Sequence, residues 1–110
     1  MAYDEDLAQR VQELMKDLPG FNEKKMFGGV GFMLQGNMAC GVNKDDLVVR
    51  VGPERYDEAM ARPFTRLFDI TGRPMTGWVM VDPKGRASDD ELKFWVQLGV
   101  DFALSLPPKG

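Results

Sequence analysis

The sequence predicts an α+β fold of two layers, an antiparallel sheet with helices packed on one face, in the order α-β(3)-α-β(2)-α. Three observations lead there. Apolar residues recur at three- and four-residue spacing near both ends of the chain, the pattern of helices with one buried stripe. Between them lie short segments alternating at period two, bounded by Gly, Asn and Pro turns, the pattern of strands. Each helix has only one apolar stripe to bury, which a sheet face can cover. A chain of 110 residues with 44% hydrophobic content and mixed charge has room for one core, so residues 1–110 form a single domain.

The elements follow in order. Asp4 is placed to cap a first helix, with Glu5 and Asp6 near its positive end and Leu7, Val11, Leu14, Met15 and Leu18 as its stripe. Leu18-Pro19-Gly20 stops it. The next segment puts Val30, Phe32 and Leu34 on one strand face and Gly29, Gly31 and Met33 on the other. Gln35-Gly36-Asn37 turns the chain into a second strand with Met38, Cys40 and Val42 on a shared face. Asn43-Lys44-Asp45-Asp46 turns it again into Leu47–Val51, completing a three-strand meander.

Gly52-Pro53 opens a short helix to Ala61, proline being tolerated where the first N–H has no helical partner, and Tyr56, Ala59 and Met60 face inward. Extended segments at Arg66–Thr71 and Gly77–Asp82 flank the turn-rich Thr71-Gly72-Arg73-Pro74. Ser88-Asp89-Asp90-Glu91 is a capping box, and the helix behind it carries Leu92, Trp95, Val96, Gly99, Phe102, Ala103 and Leu106 on one stripe until Pro107-Pro108.

Composition excludes several chemistries. With no histidine and one cysteine, His-based nucleophilic catalysis, His or thiolate metal sites and iron–sulfur ligation have no residues to use. Gly29-Val30-Gly31 lacks the third glycine of a dinucleotide turn, Leu34 standing in its place. The acidic pairs Asp45-Asp46 and Asp89-Asp90-Glu91 read as a turn and a cap, so no catalytic residue, metal or cofactor is expected. The acidic start Met1-Ala2-Tyr3-Asp4-Glu5-Asp6, the absence of an apolar run of about 20 residues and the lone Cys40 point to a cytoplasmic protein without a membrane segment. A formal charge of −3 disfavours direct nucleic-acid binding.

Lys25-Met26-Phe27-Gly28-Gly29, Asp46-Leu47-Val48-Val49-Arg50-Val51-Gly52, Gly72-Arg73-Pro74-Met75-Thr76-Gly77-Trp78-Val79 and Leu106-Pro107-Pro108-Lys109 are separated motifs in a fixed order. Together they resemble the stand-alone members of the TfoX/Sxy family, matching its N-terminal domain over nearly the whole chain. The resemblance implies the same α-β(3)-α-β(2)-α domain and a link to regulators of natural competence that act with a transcription activator. Full-length members carry a second, helical domain, expected to begin where this chain ends.

Two candidate sites emerge. Lys24, Lys25, Arg50, Arg66 and Arg73 form a basic set that either meets an anion or acidic partner or is solvated and paired with the chain's carboxylates. With Lys25 starting the first strand and Arg50 ending the third, these two are expected near one another. Arg50 stands out because it interrupts an apolar strand and needs a partner if that face is covered. Phe27, Phe32, Met33, Met38 and Trp78, among glycines that leave the strands bare, form either core or a docking face. The expected role is a non-enzymatic regulatory or protein-interaction module with an unidentified protein partner, homodimerisation being a second mode. The alternative is a binder of a small anion or nucleic acid through Lys25 and Arg50. Cys40, in register with Met38 and Val42, is expected to be buried and inert.

Overall fold

A computed structural model describes residues 3–26, 29–68 and 76–108. Helix α1 (Glu5–Met15) is followed by strands β1 (Phe21–Met26), β2 (Gly29–Leu34), β3 (Asn37–Asn43) and β4 (Asp46–Arg50). A 3₁₀ turn (Pro53–Arg55) leads into the short α2 (Tyr56–Met60), then β5 (Thr65–Leu67), β6 (Trp78–Val81), a second 3₁₀ turn (Pro83–Arg86) and α3 (Asp89–Ser105). The six strands form one antiparallel sheet in the order β1-β2-β3-β4-β6-β5.

The fold is the α+β sheet-and-helix arrangement expected, with one more strand in the meander. Phe21–Met26 is a strand in its own right, and Lys24 and Lys25 lie inside it rather than at the start of the next. Its polarity hid it. On the core side it places Phe21, Glu23 and Lys25, and only Phe21 has apolar surface to bury, stacking 6.2 Å from Phe32. As the outermost strand it needs no more than that, and its charges discourage pairing with another chain.

Register separates the two faces. Phe32, Cys40, Val49 and Val79 align across four strands, as do Val30, Val42, Leu47 and Val81. All eight are buried and join Leu7, Val11 and Met15 of α1 and Leu92, Trp95, Val96 and Ala103 of α3 in one core. Both long helices therefore lie on the same face. The caps hold as read: Asp4 accepts from the Leu7 N–H at 3.1 Å, and Ser88 and Glu91 complete the capping box. Gly99 lets α3 settle against β3, since a Cβ there would stand 2.2 Å from the Ala39 carbonyl oxygen.

Met38 departs from its expected face. The pairing shifts between Phe32 and Met33, so Met33 opposes Met38 and Ala39 is the extra residue of a bulge. The slip removes Met38 from the Cys40–Val42 row, and a Cβ on Gly41 would meet the Met38 methyl at 2.8 Å on the other face.

Candidate functional site

The face away from the helices carries Met33, Met38, Gly31, Gly41, Val48, Met80, Arg50 and Trp78 by register. Val48 and the two glycines are buried, while Met33, Met38, Met80, Arg50 and Trp78 are half-buried. Met33 with Met38 and Arg50 with Trp78 lie toward the same end of the sheet, beyond the Phe32–Cys40–Val49–Val79 row. At the sheet margin Phe64 and Leu67 are among the most exposed large apolar side chains described, at 49% and 47%, but both belong to the helix side: Leu67 pairs with Val79, and Phe64 lines a groove with Phe94 and Trp95 of α3.

At that end a row of flat groups crosses the sheet. Phe68, just after β5, stacks on Trp78 with centroids 5.6 Å apart. The Arg50 guanidinium lies 5.3 Å from the Trp78 ring and 5.1 Å from the Phe102 ring of α3. Arg50 and Trp78 are directly opposed across β4 and β6. Behind them Gly52, at φ 87°, lies under the Phe102 ring, which a Cβ would meet at 2.5 Å, and the Val51 and Gly52 N–H groups both donate to the Gly77 carbonyl. The guanidinium is thus anchored by cation–π contact.

The expected basic set is dispersed. Lys25 sits on the core-side register of β1, level with Val30, Val42 and Leu47, whereas Arg50 sits on the opposite face of β4. Three strand spacings, about 14 Å, separate the two strands. The extra strand is the cause, because it carries Lys25 one place further out than a three-strand meander would. The Lys25 ammonium lies 5.3 Å from the Tyr3 ring, and contact with the Tyr3 hydroxyl holds it above the ordinary lysine range. Lys24 is exposed on β1. Arg66 is bound to Asp46 at 2.6 Å, reaching across β6, and that hydrogen bond raises its pKa. Arg73 and Phe27 lie outside the described residues.

Of the apolar set, Phe32 is wholly buried in the core and presents no surface, its strand facing the helices at that position. Met33, Met38 and Trp78 do share the uncovered face. Met80 joins them on that face by register, Phe68 stacks on Trp78, and Phe102 reaches the Arg50 guanidinium from α3 at the end of the sheet; none of the three is among the site residues the sequence suggests. The period-two pattern of β6 places Met80 beside Trp78, but nothing in the sequence aligns Phe68 or Phe102 with Arg50.

Cys40 is fully buried, 3.6 Å from the Met15 sulfur, and burial pushes its thiol up to about 12. Among the described residues no three His, Cys, Asp or Glu side chains are grouped to hold a metal ion. No described helix is long and apolar enough to cross a membrane. A groove of about 380 Å³ beside the row, lined by Gly52, Pro53, Glu54, Asp101, Phe102 and Ser105 among others, is open to solvent.

A small α+β domain whose long helices cover one sheet face, with methionines and an arginine in cation–π contact on the other, is the class these features define. The chain belongs to the TfoX N-terminal domain family, whose model matches residues 13–103. That span runs from within α1 to near the end of α3 and includes every strand. No curated protein matches the chain at a significant level.

Proposed function

We propose that this domain is a non-enzymatic regulatory module that binds another protein through the sheet face its long helices leave uncovered. The observation that supports this most is the grouping of Met33, Met38, Met80 and Trp78, half-buried, on that face. Methionines adapt to varied partner shapes, and an aromatic ring beside them supplies a large rigid contact. The accessory character of the TfoX/Sxy competence regulators, which act with a transcription activator, is extended here to this chain. Nucleic acid is a poor partner for a chain of charge −3 whose cations are scattered over both faces. A second copy is a weaker candidate than a different protein, because β1 carries Glu23, Lys24 and Lys25 at one sheet edge and β5 at the other is three residues long.

The test compares affinity purification of the tagged chain with that of a Met33→Glu/Met38→Glu variant of unchanged circular dichroism. A stoichiometric partner that survives high salt and is lost with the variant supports the reading. Recovery of the chain alone, or a partner equally retained by the variant, refutes it. Sedimentation mass of the purified chain tells a self-associated form from a monomer.

A further inference from the structure

Two aromatic rings lie beside the Arg50 guanidinium, and neither can accept its N–H groups as a carboxylate would. A guanidinium carries five N–H donors in its own plane, arranged as a fork that matches a carboxylate. Arg10, Arg66 and Arg86 each hold a carboxylate, of Asp89, Asp46 and Asp4. Arg50 is half-buried, lies within 5.3 Å of the Trp78 and Phe102 ring centroids, and has no carboxylate within ion-pair distance among the described residues. Half-buried and in contact range of two rings, the side chain has less freedom to lose than an exposed arginine when a ligand engages the fork.

We propose that Arg50 recognises a carboxylate, an Asp or Glu side chain or a chain terminus, presented by a protein partner docked on the uncovered sheet face. This rests on reading that face as the docking surface, and it names the chemistry the partner brings. One cation suits one singly charged, planar anion. Lys25 is on the other face and Arg66 is bound to Asp46, so neither is at hand to share a phosphate dianion, and the one further described cation nearby, Arg55, lines the groove beside Phe102 together with two carboxylates. Glu54 and Asp101 outnumber Arg55 in that groove and disfavour a doubly charged anion there. The neighbouring Met33, Met38 and Trp78 suit the apolar side chains that flank a carboxylate in a polypeptide.

The test follows the Arg50 Nε–H and Trp78 indole N–H resonances of the ¹⁵N-labelled full chain during titration with sodium acetate, then with inorganic phosphate, at constant ionic strength. The expected result is a saturable shift with acetate, lost in Arg50→Gln, weakened about tenfold in Arg50→Lys and unchanged in Lys24→Gln, with phosphate binding more weakly. A shift that stays linear in acetate, a tighter response to phosphate, or an equal response in Arg50→Lys overturns the assignment. Should Arg50→Gln fail to fold, the wild-type and Arg50→Lys titrations still decide. No partner enters this experiment, so its failure leaves the docking face to stand or fall on the Met33→Glu/Met38→Glu comparison.

Discussion

Replacing Gly99 by alanine sets two physical effects against each other, and the structure decides the sign. Gly99 is interior to α3, where alanine is favoured over glycine by about 1 kcal/mol. On propensity alone Gly99→Ala would stabilise the protein. The added Cβ, however, would stand 2.2 Å from the Ala39 oxygen and 3.0 Å from its carbonyl carbon, where ordinary contact begins at 3.4 Å. The obstacle is backbone in the bulge of β3, so no side-chain rotation relieves it and the helix must lift by about 1 Å. Overpacking of this kind costs about 1–3 kcal/mol, and a rigid neighbour places it at the upper end. The net expectation is a loss of about 2 kcal/mol, which for a domain of this size lowers Tm by about 8 °C. Urea denaturation followed by circular dichroism measures the free energy, and differential scanning calorimetry the Tm. An unchanged or raised stability would refute the close seating of α3 on β3, and with it the assignment of both long helices to one face.

Cys40 supplies a pH prediction. Its folded pKa is raised to about 12, so between the unfolded value near 9 and that value the unfolded chain has released a proton the folded chain retains, and stability falls as pH rises. Comparison of wild type with Cys40→Ala should show a steeper alkaline decline in the wild type, by about 2 kcal/mol between pH 8 and 10.5; parallel profiles would contradict the burial. Asp4 both caps α1 and accepts from buried Arg86, which also donates to the Asp45 carbonyl at 2.8 Å, so Asp4→Ala should cost about 2–4 kcal/mol by chemical denaturation. A loss under 0.5 kcal/mol would show that these contacts do not hold the start of α1; that threshold is roughly the size of surface substitutions in general. The Arg66–Asp46 pair, with the arginine half exposed, should show a double-mutant coupling of only about 0.5 kcal/mol that vanishes in about 1 M salt.

The parts of this fold that were legible in the sequence are those written in local patterns. The Ser88 capping box, the stripe from Leu92 to Ala103 and the turn at Gln35-Gly36 declare themselves within a few residues, because hydrogen-bond geometry and helical period act at short range. β1 was illegible because an edge strand buries little, and Phe21 alone cannot produce an alternation. The Ala39 bulge was illegible for another reason. A single inserted residue reverses the facing of everything beyond it, and Met38 fits either face. The candidate site shows the same division. Arg50 was marked by its own oddity, a charge in an apolar strand, and the structure gives that charge a place beside two rings. The association of Lys25 with Arg50 depended on strand count and register, and one extra strand dissolved it. Phe68 and Phe102 reach Trp78 and Arg50 from β5's end and from α3, distances in sequence that no local pattern spans.

The most direct test of the central claim is site-specific photo-crosslinking in the cells that make the protein, with the probe at Met38 on the uncovered face and, as a control, at Gln9 on the solvent side of α1. One discrete adduct of the chain with a different protein is expected from position 38 and none from position 9. Adducts of equal yield from both positions, an adduct only with a second copy of the chain, or no adduct at all would contradict it.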